Sequence, residues 1–282
     1  MKKAVCITSG GGDSIANGLM LLKDGYHVIF LHVSHGQKCA EGEKAACQAI
    51  TDELLRKGYS CSLKVIDAKW LGDLGTSGLT DSDIDVPEGL EGVYGSTIQK
   101  IFTPNRNSVL LGIAGAVAEA ERVEVITLGA CQSEAAYPDN TKEYLDAYTN
   151  VLRYSCYHAH PIAYSPIWNL DKVEIYKWAF NNDFGVIHSS LTWSCDDVPM
   201  VLDSSGTRNS MLPCGRCGCC RNRRMVFHIL NHLYPGQGCY DLEQYADMAW
   251  FTTIFLPTIK ENGIPANKWF SKYAEVLKCK IV

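Results

Sequence analysis

Short apolar runs alternate along the chain with longer segments of helical periodicity. The apolar runs are typical of buried strands because they are short and rich in β-branched and aromatic residues. They fall at residues 4–8, 27–33, 62–67, 124–128 and 162–167. Helical periodicity covers residues 14–23, 41–56, 107–121, 141–152 and 171–181. Strands that alternate with helices predict an α/β fold with a doubly wound parallel sheet.

Two stretches interrupt or follow this alternation. Residues 68–104 contain turn signals such as LGDLG and VPEG and no long periodic segment, so we interpret them as an insertion. After Pro235 the chain has two aromatic-rich helical patches, at residues 242–256 and 267–277. These patches predict a helical C-terminal extension over residues 234–282.

Composition and charge narrow the class of protein. Hydrophobic residues make up 46% of the chain and charged residues 20%, which is ordinary for a soluble globular protein. The formal net charge of −5 gives no general attraction to nucleic acid or to an anionic membrane. No apolar run reaches the roughly 18 residues that span a bilayer, and Lys2 and Lys3 lead directly into a short strand. We therefore expect a cytoplasmic protein with no membrane partner.

A glycine-rich loop, SGGGDS, joins the first predicted strand to the first predicted helix. Backbone N–H groups at a helix N-terminus bind phosphate, and glycine lets a ligand approach the backbone closely. The sequence is neither a Walker A loop nor GxGxxG, and it favours a phosphate or pyrophosphate site. The candidate nucleotide-binding residues of the loop are Ser9, Gly10, Gly11, Gly12, Asp13 and Ser14.

Two other roles are open for the polar residues of this loop. Asp13 could brace the loop or ligate Mg²⁺ on the phosphates. The plainer alternative to a phosphate site is a tight strand-to-helix turn in which Asp13 or Ser14 caps the helix. Three consecutive glycines exceed what a cap requires, so the sequence favours the phosphate site.

Four of the thirteen cysteines follow a pattern typical of a metal site. Cys214, Cys217 and Cys220 are spaced C-x2-C-x2-C, and Cys195 can supply a fourth thiolate, while Cys219 falls outside the spacing. Four thiolates suit a tetrahedral structural Zn²⁺ site, and an iron–sulfur cluster is the alternative. Other cysteines are expected to be buried small apolar residues: Cys6, Cys47, Cys61, Cys131 and Cys156.

The loop resembles the SGGxDS signature of the PP-loop ATP pyrophosphatases. Other segments resemble, in order, motifs of the 7-cyano-7-deazaguanine synthase (QueC) family. They are HGQK (35–38), SGLT (77–80), VP (86–87), FTPNRN (102–107), YPD (137–139), PIWNLDKVE (166–174), LTWSC (191–195) and CGRCGCCRNR (214–223). The resemblance covers about residues 1–233. It implies a PP-loop domain of the adenine nucleotide alpha hydrolase-like fold at 1–185, a zinc-binding region at 186–233, and an extension at 234–282.

The resemblance also implies site residues outside the loop. Arg106 would hold a phosphate or a substrate carboxylate, and Lys172 would contact the nucleotide; the plainer alternatives are a surface arginine and a solvated lysine. The candidate catalytic residues are Asp13, Arg106 and Lys172. The further candidate nucleotide-binding residues are His35 and Gln37. The candidate substrate residues are Arg106, Glu134, Tyr137 and Asp139, with a simple turn at 138–139 as the alternative.

Several positions depart from the family pattern. His35 stands where the family has tyrosine, Asn105 where it has glycine, and Glu134 where it has aspartate. Two alanines replace a Ser-Gly pair at 135–136, and Asn-Thr replaces Cys-Arg at 140–141. The changes at 105, 134–136 and 140–141 lie where the resemblance places the substrate acid or the amine.

The implied substrate is 7-carboxy-7-deazaguanine, with ATP, Mg²⁺ and Zn²⁺ as cofactors. ATP would adenylate the carboxylate, yielding AMP and pyrophosphate, and ammonia would convert the adenylate to an amide. A second ATP would then drive formation of the nitrile, 7-cyano-7-deazaguanine, on the route to queuosine. The family resemblance further implies a homodimer.

Two other functions stay open from the sequence. A diverged ligase would join the deazaguanine acid to another amine, such as an amino acid, a nucleic acid or a protein N-terminus, in a modification or antiviral defence system. A zinc-ribbon module would instead sense nucleotides without catalysis, using basic residues against a phosphate backbone. The basic residues are Arg216, Arg221, Arg223 and Arg224, for which a solvated helix face is the plainer interpretation.

Overall fold

The computed structural model describes residues 2–96, 98–132, 137–197, 213–235 and 250–282. Within them, five strands form one sheet in the order β3-β2-β1-β4-β5, and every pairing is parallel. The strands are β1 (Lys3–Ile7), β2 (His27–Ser34), β3 (Cys61–Asp67), β4 (Val125–Thr127) and β5 (Ile162–Tyr164). The strand order reverses between β1 and β4, so the predicted doubly wound α/β sheet is confirmed.

The helices include the five that the 3.6-residue periodicity predicts before residue 185, with bounds that differ by at most three residues. They are α1 (Gly12–Lys23), α2 (Ala40–Arg56), α3 (Glu91–Tyr94), α4 (Ile98–Ile101), α5 (Arg106–Glu121), α6 (Lys142–Ser155), α7 (Lys172–Asn181), α8 (Gly218–Leu233), α9 (Leu256–Asn262) and α10 (Ala274–Leu277). A π-helical turn at Ile187–Leu191 follows α7. The short helices α3 and α4 lie inside the stretch interpreted as an insertion.

The sheet is buried on both faces because its central strands are largely apolar. Val5 and Ile7 of β1 belong to a core that includes Leu111 of α5. Ala4 and Cys6, which alternate with them, belong to a second core that includes Ile15 of α1. This two-residue alternation places one helical layer on each face of the sheet.

Asn17 fixes α1 against the carboxyl ends of β4 and β5. Its side chain is fully buried, its Nδ2 donates to Leu128 O at 2.9 Å, and its Oδ1 accepts from Ile167 N at 3.3 Å. Because a buried amide without such partners would cost free energy, these bonds favour one position for the start of α1.

The chain groups into two compact units. The first contains the sheet and consists of residues 1–36, 43–71 and 104–193. The second consists of residues 37–42, 72–103 and 194–282. Most of the stretch interpreted as an insertion therefore groups with the cysteine-rich region and the extension. The predicted domain boundaries at 185 and 233 stay predictions.

The described part of the C-terminal extension is packed and largely helical. Its buried apolar residues include Phe255, Ile259, Ile264 and Phe270. The predicted helical patch at 267–277 is confirmed, whereas most of the patch at 242–256 lies outside the described residues. Among the helices that the structure describes, none has the length and apolar character that crossing a membrane requires. A cytoplasmic location stays a prediction.

Candidate active site and metal centre

The SGGGDS loop lies at the carboxyl end of β1, beside the point where the strand order reverses. Gly10 has φ +75°, in the left-handed region that favours glycine. A Cβ at Gly10 would lie 2.8 Å from the Glu43 carbonyl oxygen and 3.3 Å from Cys47 Sγ. The loop therefore needs glycine here both for its backbone angle and for its close approach to α2.

Hydroxyl groups brace this loop from within. Thr8 Oγ1 accepts from Gly10 N at 2.9 Å. Ser14 Oγ lies 3.1 Å from Thr8 Oγ1, accepts from Ser9 N at 3.3 Å and donates to Gly11 O at 3.2 Å. The Ser14 hydroxyl thus holds the shape of the loop, whereas Ser9 is exposed.

The capping alternative for the loop is wrong. Helix α1 begins at Gly12, its N-cap is Gly11, and no described side chain caps it there. Asp13 and Ser14 lie inside the first helical turn. Because the N–H groups of a first turn carry a partial positive charge, this helix start suits an anion.

Lys172 and Asp13 form an ion pair beside the loop. Lys172 Nζ donates to Asp13 Oδ2 at 2.6 Å, and the two side chains are only 12% and 23% exposed. Lys172 is the first residue of α7, where Asp171 and Glu174 form a reciprocal capping box. Since Lys172 is largely buried and paired, the solvated-lysine interpretation is wrong.

Three further residues pack against the loop: Trp193 of the LTWSC motif, and His188 and Tyr176, which the sequence analysis did not identify. His188 Nε2 donates to Gly12 O at 2.8 Å, and Trp193 N donates to Gly10 O at 2.8 Å. The His188 ring packs edge-on against Tyr176. A lone histidine in an apolar segment has no spacing that points to such a role.

His35 and Arg106 interact electrostatically in the sheet-containing unit. His35 is buried, and burial, followed by the positive charge of Arg106, lowers the pKa of His35 to about 4. His35 is therefore a neutral imidazole at physiological pH. Gln37 is also buried, but it belongs to the second unit.

The backbone conformation at residue 105 explains why asparagine can stand where the family pattern has glycine. Asn105 is the N-cap of α5 and has φ 55° and ψ 14°, in the left-handed region. Glycine adopts this conformation most easily, and asparagine is among the side chains that tolerate it best. Asparagine can therefore replace the family's glycine before Arg106 while keeping the same backbone.

The YPD segment forms a turn next to the start of α5. Asn140 N donates to Tyr137 O at 3.1 Å, and Asn107 Nδ2 donates to Asp139 O at 2.9 Å. Thr141 caps α6 by accepting from Tyr144 N at 3.1 Å, so this departure from the family pattern has a structural use. The simple turn at residues 138–139, given as the alternative from the sequence, is therefore present. Glu134 lies outside the described residues.

The four cysteines predicted as metal ligands come together. The sulfur atoms of Cys195, Cys214, Cys217 and Cys220 all lie within 4.8 Å of one another. Cys214 Sγ and Cys220 Sγ are 3.9 Å apart, close to the edge of about 3.8 Å expected when four sulfurs bind one ion at about 2.3 Å. An iron–sulfur cluster places sulfides between its irons and needs more widely separated thiolates. The spacing therefore fits a single ion.

Backbone N–H groups point at these sulfurs. Cys214 Sγ accepts from Arg216 N at 3.4 Å and from Cys217 N at 3.3 Å. Gly215, which follows Cys214, has φ +78° and allows the chain to turn back toward the sulfur. Hydrogen bonds from neighbouring thiols, that of Cys195 first, lower the pKa of Cys214, whereas burial raises the pKa of Cys220. A cation on four thiolates would displace the remaining protons.

Three of the four arginines beside the cysteines are buried, so both the solvated-face interpretation and a phosphate-backbone contact are wrong for them. Arg221 donates to Gly89 O at 2.7 Å and lies over the Phe270 ring. Arg223 lies over the Phe227 ring, and Arg224, which is fully buried, lies near the Phe251 ring. Arg216 is exposed beside Glu88.

The other cysteines predicted to be apolar core residues are buried as expected. Burial raises the pKa of Cys6 to about 12 and that of Cys61 to about 11. These thiols stay protonated, which agrees with a packing role. The remaining members of the set are Cys47, Cys131 and Cys156.

A parallel sheet with the glycine-rich SGGGDS loop at its switch point defines an α/β protein of the PP-loop class. Residues 3–231 match the family model of queuosine biosynthesis protein QueC, and the chain belongs to this family. It is 28% identical over 229 residues to the 7-cyano-7-deazaguanine synthase of Campylobacter fetus subsp. fetus (strain 82-40), covering 80% of this chain and 93% of the relative.

Other relatives with the same name have similar coverage. The chain is 33% identical to the protein of Campylobacter curvus (strain 525.92), over 80% of this chain and 93% of the relative. It is 30% identical to that of Sulfurimonas denitrificans (strain ATCC 33889 / DSM 1251), over 83% and 96%. A solved 4-thiouridine synthetase–RNA complex with bound ATP has a TM-score of 0.42 and 19% identity, over 66% of this chain and 42% of that one. The family assignment rests on the sequence match and not on this structural likeness.

Proposed function

We propose that the protein converts 7-carboxy-7-deazaguanine to 7-cyano-7-deazaguanine with ATP. Membership of the QueC family and the names of the relatives support this activity. The observation that carries the proposal is the ion pair between Lys172 and Asp13 beside the glycine loop. It places a lysine and a carboxylate next to a helix start suited to phosphate.

The proposed reaction uses two ATP molecules. A carboxylate oxygen attacks the α-phosphorus, and the bond from that phosphorus to pyrophosphate breaks. Ammonia attacks the acyl carbon, AMP leaves with that carboxylate oxygen, and loss of a proton gives the amide. The amide oxygen attacks a second ATP in the same way. Loss of two protons from nitrogen and departure of the second AMP leave the nitrile.

The loop and its neighbours would stabilise negative charge in these steps. Backbone N–H groups of the first turn of α1 would donate to the phosphates, and Lys172 would offset charge that develops at the α-phosphate. A carboxylate has two oxygens and several lone pairs, so Asp13 can accept from Lys172 and also bind Mg²⁺. Bound Mg²⁺ would screen the charge of the triphosphate.

Arg106 and His35 suit the acid substrate. The guanidinium of Arg106 can bind a carboxylate through two parallel hydrogen bonds. His35 is neutral at physiological pH and can donate or accept a hydrogen bond without adding charge. Tyr137 and Asp139 adjoin the same helix start, since Asp139 O accepts from Asn107. We propose that these residues contact the deazaguanine acid.

We propose that the cysteine cluster binds Zn²⁺ in a structural role. Cys195, Cys214, Cys217 and Cys220 would supply all four ligands, which leaves no open position for catalysis. Because these ligands come from two distant segments, a bound ion would hold residue 195 against the N-terminus of α8. A homodimer, as the family resemblance implies, stays a prediction.

An isotope experiment tests the proposed chemistry. The substrate acid is labelled with ¹⁸O in its carboxylate and incubated with enzyme, ammonium and Mg-ATP. Each AMP released should carry one ¹⁸O atom by mass spectrometry, because both activated oxygens leave on AMP. Release of nitrile with unlabelled AMP would rule out adenylation of the substrate.

A second candidate function is a ligase that joins the same adenylate to a larger amine. The C-terminal extension favours it, because the chain beyond residue 231 lies outside the family match and residues 250–282 form packed structure. Such an addition provides surface for an amino acid, a nucleic acid or a protein N-terminus. Under this alternative, ammonium would be a poor acceptor.

A further inference from the structure

His188 is a fully buried histidine that reaches the first residue of α1. Its relative exposure is 0%, and its Nε2 lies 2.8 Å from Gly12 O. A carbonyl oxygen can only accept a hydrogen bond, so Nε2 carries a proton and donates. His188 therefore contacts the glycine-rich loop at a backbone carbonyl group, that of Gly12.

Tyr176 holds the His188 ring in place. The two ring centroids are 4.3 Å apart and the rings are nearly perpendicular, at 76°. A Cβ at Gly12 would lie 3.2 Å from the Tyr176 hydroxyl oxygen and 3.5 Å from His188 Cε1. The two side chains thus pack closely against Gly12, and a larger residue here would crowd the Tyr176 hydroxyl.

The same segment holds a second carbonyl of the loop. Trp193 N donates to Gly10 O at 2.8 Å, and a Cβ at Gly11 would lie 3.3 Å from Trp193 O. In a trans peptide the C=O and the N–H point in opposite directions. Fixing the Gly12 carbonyl toward His188 therefore directs the Asp13 N–H away from His188.

We propose that His188 is a positioning residue for ATP, acting through Gly12 and not by touching the nucleotide. The proposal rests on the proposed function, because the loop must bind ATP for such a role to exist. Removing the Nε2–H donor takes one hydrogen bond from a buried carbonyl and loosens the first turn of α1. An amide donor of similar reach would restore the bond.

The test compares two variants at this position with a matched control. H188L removes the donor, and H188Q places an amide N–H at a similar reach. H27L makes the same change at His27, a half-buried histidine that begins β2 and bonds to Ser60. Binding of an ATP analogue with a methylene bridge between its α- and β-phosphates is measured by calorimetry in the presence of Mg²⁺. Thermal denaturation checks the folding of each variant.

H188L should weaken analogue binding about tenfold, because the loosened first turn of α1 would have to be ordered when the nucleotide binds. H188Q should stay within about threefold of wild type, and H27L should not differ from wild type. In turnover assays, H188L should raise the KM for ATP and leave the KM for the deazaguanine acid unchanged. A role confined to stability would not separate the two KM values.

Two results would overturn the proposal while leaving the proposed function standing. One is wild-type affinity in folded H188L. The other is a tenfold loss of analogue affinity in H188Q at an unchanged melting temperature. If H188L does not fold, the affinity of H188Q alone tests the role of His188. If the wild-type protein itself binds no analogue, the proposed function fails, and the role of His188 fails with it.

Discussion

Lys172 Nζ and Asp13 Oδ2 are 2.6 Å apart although the two residues are 159 positions apart in sequence. The pair joins the first turns of α1 and α7 beside the glycine-rich loop. A lysine at the start of a helix is unfavourable for the helix dipole, and the Asp13 carboxylate offsets this cost. The pair is therefore the most specific feature of the candidate active site.

K172M should lower the rate of AMP release about a hundredfold, because a charge aimed at the reacting phosphate is lost. K177M, at an exposed position on the same helix, is the control and should keep wild-type activity. Both rates are measured with saturating acid, ammonium and Mg-ATP. A K172M rate within about threefold of wild type would remove Lys172 from the proposed mechanism.

Purified protein should contain one zinc ion per chain by elemental analysis and show no visible absorption from an iron–sulfur cluster. C220S should lose the metal and melt roughly 5 to 15 °C lower, if loss of the ion costs a few kcal/mol. C219S is the matched control, because Cys219 is not among the four clustered cysteines. Zinc retained by C220S would contradict the ligand set.

Asn105 should tolerate glycine but not valine, because its φ of 55° lies in the left-handed region. N105V should lower the free energy of unfolding by about 1–2 kcal/mol, while N105G should change it by less than about 1 kcal/mol. Urea denaturation measures both values. Equal stability of the two variants would mean that Asn105 has another backbone conformation in solution.

His35 should make the protein less stable as the pH falls. Its pKa in the folded protein is about 4, below the value of about 6.5 expected for an unfolded chain. Between these values the unfolded state binds more protons, so the free energy of unfolding should drop as the pH falls from about 6.5 to 4, by up to about 3 kcal/mol. H35Y, which restores the family's residue, should flatten this slope.

The free energy of unfolding of wild type and H35Y is measured by denaturant titration at several values across this pH range. The exposed His160 provides the substitution control, H160Y. The same slope in wild type and H35Y would show that His35 is not held neutral by its surroundings.

The sheet could be predicted from the sequence because each strand is a short run with mostly apolar residues, and the central strands β1, β2 and β4 are largely buried. The glycine-rich loop was also evident from the sequence, because the backbone conformation at Gly10 and the close packing around it require glycine, whereas phosphate binding stays a prediction. Both signals are local in sequence. For the cysteine cluster, three members are close together in sequence and could be recognised from their spacing, while the fourth, Cys195, was assigned from its position in the TWSC motif.

Other parts of the site could not be predicted because they depend on contacts between distant segments. His188 meets Gly12 across 176 positions, and nothing in its neighbourhood marks it. Arg221 and Arg224 were expected in solvent because they are charged. They are buried near Phe270 and Phe251 of the extension, and no periodicity links these aromatic residues to α8.

The proposed function includes the claim that ammonia converts the adenylated acid, through the amide, to the nitrile. The direct measurement is mass spectrometry of parallel reactions with enzyme, Mg-ATP and 7-carboxy-7-deazaguanine, one with ammonium and one without. We predict 7-cyano-7-deazaguanine and AMP only in the reaction with ammonium. Adenylate that accumulates in both reactions without nitrile would contradict the claim and indicate that a different amine is the natural acceptor.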